Sequence, residues 1–455
     1  MEAARKPHAI AYPADGPDFA STLADDRERA ADYFGAMDEA LAQLGAADGR
    51  DPPARARADE IKRQCRHAKD AFFRRHAAAI YDELTDSCTV AVRLADLVYA
   101  AADRYPMLLP TRGAIGRERA LKRQTAKEGL EIDQGLFVAH VLADERCGAH
   151  LVHAMLRPRR DAEARLPEFA RSGFIDLGLA TLERKGKVGH VTLTNPKFLN
   201  AEDDAATAAL ETAVDLALLD DRIEVGVLRG GVLDHPKYPH RRVFNAGINL
   251  THLYYGQISF VEFFLERELG VVNKIYRGHW RSQCYQEQFE DTVEKPWLAV
   301  VESFAIGGGC QLLCVMDRVI AEPGAYFNLP ASKEGFIPGA ANLRLPRLVG
   351  IRRAQQAIFF DSGFRVDTAE GLLLCDEVVA TDQMEAAIER NAAQMARAGV
   401  TSTASNRKAL RVGQESLSTF RRYMATYSRQ QSLCVYDQAL IANLEHSWEP
   451  GRRRM

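Results

Sequence analysis

The sequence predicts an α/β protein whose central unit carries all-helical extensions at both ends, and three observations carry that expectation. Residues 1–175 are dominated by Ala, Arg, Asp and Glu, with apolar residues at three-to-four spacing and no strand-like alternation. Across 176–385, short apolar runs alternate with helical patterns, the rhythm of strands joined by crossover helices. Beyond 385 the pattern is helical again, ending in the basic tail Gly451-Arg452-Arg453-Arg454. The expected division is an N-terminal helical domain over 1–175, a catalytic core over 176–385 and a C-terminal helical region over 386–455.

In chain order, Ile61, Cys65, Ala68, Phe72 and Phe73 mark one face of an early helix. Prolines 52, 53, 106, 110, 158 and 167 are expected to mark helix limits. His190-Val191-Thr192-Leu193-Thr194 alternates polar and apolar, as a half-buried strand does. A helix is expected over 203–219, then a short strand around Val225–Leu228 closed by Gly230-Gly231. Trp297-Leu298-Ala299-Val300-Val301 reads as a further strand, leading into Gly307-Gly308-Gly309 and another helix.

Composition narrows the partners. The chain has 455 residues, 47% of them hydrophobic and 27% charged, so it can build a sizeable core. Its net charge of −3 gives no electrostatic reason to expect nucleic acid or an acidic membrane as partner. No apolar run approaches the roughly 20 residues a membrane helix needs, and the N-terminus lacks a signal-peptide core, so a cytoplasmic protein is expected. The eight cysteines form no C-x-x-C pair and read as reduced thiols. Cys310 and Cys314 share a helix face without a His or Cys cluster beside them. His150, His153 and Glu145 can share another face, but they lack the geometry of a full ligand set, so no metal is expected.

Two segments concentrate the chemistry: Val243-Phe244-Asn245-Ala246-Gly247-Ile248-Asn249-Leu250 and Phe304-Ala305-Ile306-Gly307-Gly308-Gly309-Cys310-Gln311. Each reads as a strand, then small residues, then a helix. Backbone without side chains can approach a ligand closely, and the first amides of a helix point outward unpaired. Two such turns converging make an oxyanion hole. The alternative is that the glycines only permit tight strand–helix packing.

Together these segments resemble the crotonase (enoyl-CoA hydratase/isomerase) superfamily. Phe244-Asn245-Ala246-Gly247-Ile248-Asn249-Leu250 matches its first signature. Lys295-Pro296-Trp297-Leu298-Ala299 with Gly307–Leu312 matches its second. Gly335-Phe336-Ile337-Pro338-Gly339-Ala340, Arg344–Gly350 and Asp376-Glu377-Val378-Val379 continue the register, so the likeness covers residues 185–400. It implies a ββα spiral core, assembly as a homotrimer or homohexamer, and an acyl-coenzyme A thioester as ligand. It also implies that the thioester oxygen accepts the backbone amides of Ile248 and Gly308, with Ala246, Gly247, Gly309 and Ile337 lining the thioester site. Arg242 falls where relatives place a cation near the coenzyme A phosphates.

The departures are as informative. Where hydratases carry a Glu after Gly-Gly-Gly-Cys this chain has Gln311, and where their second acid follows a proline it has Ala331. Hydration needs one group to take a proton while another gives one, and neither residue titrates. Glu334 comes three residues late in register and is read as a surface residue. Leu199-Asn200-Ala201 is followed by Glu202, either a buried base or an acid at a helix N-terminus. Arg267 falls beside Phe260, Phe264 and Val271 on a helical wheel, either buried and aimed at an anion or snorkelling to an edge.

A long helical extension, Gln311 and the missing acids make the chain most similar, within the superfamily, to the cofactor-independent acyl-CoA dioxygenases of glycopeptide-antibiotic biosynthesis. That resemblance implies turnover of (3,5-dihydroxyphenyl)acetyl-CoA with dioxygen to 3,5-dihydroxyphenylglyoxylate and free coenzyme A, without metal, flavin or haem. Gln311 would then bond substrate or peroxide, and Glu202 and Arg267 would contact the ring hydroxyls or assist proton removal. The other readings are a crotonase-type isomerase or thioester hydrolase, and a catalytically degenerate acyl-CoA-binding scaffold.

Overall fold

A computed structural model describes residues 16–233, 235–280 and 291–447; Cys284 and the basic tail lie outside these residues. Among the described residues seven α-helices, from Leu23–Ala42 to Arg160–Ser172, come before the first strand at Phe174. Their starts follow local rules. Asp51 caps the 34-residue helix Pro52–Thr85 by accepting from the Ala54 amide at 2.8 Å, with proline in the first turn where no amide is needed. Pro167 departs from the expectation that prolines mark helix ends, because it lies inside Arg160–Ser172. The helix continues through it because Ala162 and Phe169 stay buried in the core shared with Asp204–Leu219.

The main sheet runs in chain order: Phe174–Asp176, Ala180–Lys185, Val188–Leu193, Val225–Gly230, Trp297–Val301, Arg318–Ala321 and Glu377–Val378. The first two pairings are antiparallel and the rest parallel. Trp297–Val301 is buried at all five positions, which is why it reads as an unbroken apolar run. A second sheet joins Phe304–Ile306, Tyr326–Asn328 and Phe364–Arg365. Isolated bridges Asn245↔Ala305 and Glu202↔Ile248 extend its layer. The chain thus winds strand, strand, helix through successive turns of a spiral.

The apolar core of the helical extension is not closed on itself. Phe72, Phe73 and Phe137 share one cluster with Phe260 and Leu265 of the helix after the first glycine turn, and with Met424 of the C-terminal helix Leu417–Cys434. Two acids fasten this contact. Glu131 accepts from the Phe260 amide at 2.8 Å, and Glu266 accepts from the Ala95 amide at 3.1 Å. The extension therefore holds the element that carries Arg267.

Candidate active site

The two glycine turns meet. Gly247 has φ +82, and a Cβ built there would lie 2.9 Å from the Ile306 carbonyl oxygen. The bridge between Glu202 and Ile248 uses the Gly247 carbonyl and the Asn249 amide, both at 2.7 Å. The amide of Ile248 itself is consequently turned to the opposite side. Gly308 opens the helix Gly308–Leu313, where its amide has no partner within the helix. A Cβ on Gly308 would lie only 2.4 Å from Glu202 Oε2, so this position tolerates no side chain.

Beside the turns lies a buried charge cluster centred on Arg267, which is 3% exposed. Its Nε donates to Glu202 Oε2 at 2.6 Å, and its Nη2 to Glu202 Oε1 at 3.3 Å and to the Gly308 carbonyl at 2.8 Å. Its Nη1 donates to Glu268 Oε1 at 2.5 Å and to Gln311 Oε1 at 2.8 Å. Burial alone would lower the pKa of this guanidinium, but Glu202 and Glu268 outweigh it and hold the group well above its usual range. Arginine has only donors, so the Gln311 oxygen must face it and the amide NH2 is left for another acceptor. A glutamate at 311 would instead bring a third carboxylate onto one cation.

Local backbone explains how Arg267 and Glu268, adjacent in sequence, both serve the cluster. Phe260–Leu265 and Arg267–Val272 are π-helical, a rare wide turn that is frequent at functional sites. An α-helical wheel captures Arg267 and misses Glu268. The available signal was the charged triplet Glu266-Arg267-Glu268 inside an otherwise apolar helix. Asn245, a variable position of the first signature, was also missed: its Nδ2 donates to Glu202 at 3.0 Å while its Oδ1 accepts from the Gly247 amide at 2.6 Å. Glu202 does not belong to a helix N-terminus, because Asp203 is the cap of Asp204–Leu219 and Glu202 lies in the bridge before it.

These groups line a cleft of about 500 Å³, counting its open mouth, that brings together Glu202, Ile248, Arg267, Glu268, Gly308, Gln311 and Ile337. Phe263, Phe264, Leu329 and Phe336 make much of its wall apolar, and Tyr427 reaches it from the C-terminal helix. Burial raises the Tyr427 phenol well above its ordinary pKa. Arg242, Ala246, Gly247 and Gly309 are not among the residues lining the cleft. Arg242 donates to the Gly230 carbonyl at 3.1 Å, and Gly309 packs against Asn245.

Glu334 corrects the surface reading. It is half-buried and lines the cleft, because Ala331 and Glu334 are three apart on the short helix Ala331–Glu334 and share a face. Burial and the charge of Asp361 push its carboxyl up to about 7 against the opposing effect of Lys333.

His150 and His153 do not converge on Glu145. His150 Nδ1 bonds the Tyr81 hydroxyl at 2.7 Å, and His153 packs on Trp280. Burial first of all pushes both imidazoles down to about 4. Among the described residues Asp82, Cys88 and Cys147 bring potential ligand atoms within 4.8 Å of one another. Arg146 already supplies the cation there, bonding Asp82 at 2.7 and 2.6 Å and Cys88 Sγ at 3.0 Å.

The spiral, the paired amide turns and the adjoining cleft define the class, and comparison agrees. A sequence profile of the enoyl-CoA hydratase/isomerase family matches residues 183–433, and the chain belongs to that family. The crystal structure of enoyl-CoA hydratase from Bacillus halodurans superposes with a TM-score of 0.50 at 18% identity, covering 59% of this chain and 99% of that one, a likeness of fold. The chain is 45% identical over 413 residues to a (3,5-dihydroxyphenyl)acetyl-CoA 1,2-dioxygenase from Amycolatopsis orientalis, a match covering 90% of this chain and 92% of the relative. By contrast, a short-chain-enoyl-CoA hydratase from Clostridium acetobutylicum is 28% identical over 212 residues, 46% of this chain and 72% of that protein. The dioxygenase likeness extends into the helical segments; the hydratase likeness covers under half of the chain.

Proposed function

We propose that this chain is an acyl-CoA dioxygenase that converts (3,5-dihydroxyphenyl)acetyl-CoA and dioxygen to 3,5-dihydroxyphenylglyoxylate and free coenzyme A. The observation that carries this reading is the buried Arg267–Glu202–Glu268–Gln311 cluster, which stands where a hydratase needs a proton-transferring acid pair. Glu202 and Glu268 offer acceptors to the two ring hydroxyls, and the Gln311 NH2 is a neutral donor for substrate or peroxide. Loss of one α-proton gives a carbanion delocalised onto the thioester oxygen, where the Ile248 and Gly308 amides stabilise it. One such donor contributes roughly 100–1,000-fold in rate.

The electron-rich anion passes one electron to dioxygen, and recombination of the two radicals forms an α-peroxide. Its terminal oxygen attacks the thioester carbonyl and expels the thiolate. Loss of the second α-proton with O–O cleavage then leaves the α-keto acid. Of the two α-hydrogens, one ends on the coenzyme A sulfur and the other is released with the acid. Substrate supplies the electrons in this scheme, so no metal, flavin or haem is required; an apolar wall that excludes water protects the intermediates.

Finer elements of the reading follow. Arg242 would face the coenzyme A phosphates. Exposed apolar residues such as Ile351, Phe359, Phe360 and Leu410 support assembly as a homotrimer or homohexamer. A cytoplasmic place in glycopeptide-antibiotic biosynthesis fits the substrate. No described helix is long and apolar enough to cross a membrane. An oxygen electrode with (3,5-dihydroxyphenyl)acetyl-CoA tests the reaction: one dioxygen consumed per coenzyme A released is expected. Equal thioester cleavage under argon would replace the oxygenase with a hydrolase. Metal analysis of the same active sample tests independence from metals.

A further inference from the structure

An enolate mechanism needs a base for the α-proton, and the Arg267 cluster is poorly suited to be it. Glu202 and Glu268 are each already bonded to the guanidinium. Gln311 does not titrate. Glu334 differs in every respect. It lines the same cleft as Ile248 and Gly308, and its carboxylate has no hydrogen bond or ion pair among the described residues. It stands one helical turn beyond Ala331, on the same face, so the acid missing at 331 is restored to the cleft by a longer side chain three residues on. Leu329, Phe336 and Ile337 surround it with apolar wall.

We infer that Glu334 is the catalytic base that removes the α-proton of the bound thioester. The α-C–H bond breaks, its electron pair enters the enolate held by the two amides, and the proton passes to a Glu334 oxygen. This assignment rests on the acyl-CoA reading above. A carboxyl whose pKa lies near neutrality is suited to the task, since it is both ionised and basic at working pH.

The neighbouring charges are few. Asp361, at the end of Ile351–Phe360, raises the proton affinity of Glu334, and Lys333 on its own helix lowers it. On the same Ile351–Phe360 helix, Arg353 pairs with Glu370, and Arg352 completes the charged set. On Gln438–Ser447, Glu445 pairs with Arg123 and His446 bonds the Ala442 carbonyl. Across the cleft, Glu202, Arg267 and Glu268 are bound to one another.

The test is α-hydrogen exchange without oxygen. The full-length enzyme is incubated anaerobically with (3,5-dihydroxyphenyl)acetyl-CoA in D2O, and loss of the α-proton signal is followed by NMR. Wild type is expected to exchange with a rate that rises through pH about 7 to a plateau. Glu334→Gln is expected to lose roughly 100-fold or more of that rate and the pH limb with it, while thioester affinity stays within about threefold. Glu334→Asp is expected to retain an intermediate rate and the limb, a rescue that a merely structural role would not give. Exchange in Glu334→Gln within about threefold of wild type, while wild type consumes oxygen normally, overturns the base assignment and leaves the oxygenase reading standing. Absence of both exchange and oxygen uptake in wild type overturns the two together.

Discussion

Every nitrogen of the Arg267 guanidinium is engaged, by two carboxylates, a side-chain amide and the Gly308 carbonyl. A planar fork is needed for that set, and a lysine ammonium cannot reproduce it. Arg267→Lys is therefore expected to preserve the charge yet lose about 100-fold in kcat/KM for oxygen uptake, because the cluster is displaced. Arg267→Ala leaves two carboxylates buried against each other, and urea unfolding is expected to show a loss of about 3–5 kcal/mol. Gly308 answers to a different constraint. The Cβ of Gly308→Ala would meet Glu202 Oε2 at 2.4 Å and Arg267 Nη2 at 3.0 Å, forcing the turn or the cluster to move. Single-turnover measurements are expected to show a 100–1,000-fold slower chemical step, the loss typical of one misplaced oxyanion donor.

Among elements, the helix carrying Arg267 shows how neighbouring structure completes a site. Its π-helical turns are not marked by any residue that a propensity scale would flag, and Glu131 and Glu266 fasten the helix to the N-terminal helices. The C-terminal helix is fastened in another way. Glu415, fully buried, binds Arg344, Arg347 and Arg277 just before Leu417–Cys434 begins. Burial would raise its pKa, but Arg344 and Arg277 outweigh burial and hold it at about 2. A depressed carboxylate contributes stability above its ordinary pKa of about 4.3, and that contribution is lost as pH falls from there toward 2, here on the order of 3 kcal/mol. Denaturation midpoints measured from pH 6 down to pH 3 are expected to fall in wild type. They are expected to fall less steeply in Glu415→Gln, which starts lower.

At the scale of the molecule, one apolar cluster runs from Phe72 and Phe137 through Phe260 and Leu265 to Met424. The helical extension, the core and the C-terminal helix are therefore packed as one body around the cleft. A truncated chain of residues 176–455 is expected to expose Phe260 and Phe264 and to be insoluble or to bind a hydrophobic dye strongly, without oxygenase activity. A soluble, fully active fragment would show that the extension has no part in shaping the site.

Much of this was legible in the sequence because it depends on neighbours along the chain. The alternation of His190–Thr194, the apolar run Trp297–Val301 and the two glycine turns need only local backbone and side-chain spacing, so these strands and turns could be named directly, while the spiral core and the Ile248 and Gly308 amides were implied by the family resemblance the turns carry. Arg267 and Gln311 were legible as departures from an expected pattern. The rest depends on three-dimensional proximity. Glu268 joined the cluster only because a π-turn changed the angle between successive residues, Asn245 because a bridge set it beside Glu202, and Glu334 because one turn of helix carried an out-of-register acid back into the cleft. Sequence by itself determined the alternation of strands and helices and the two glycine turns, since these are written in local periodicity and spacing. Only the tertiary structure decided which charges neutralise one another and that Glu334 has no bonded partner among the described residues, since that depends on distances between segments far apart in the chain.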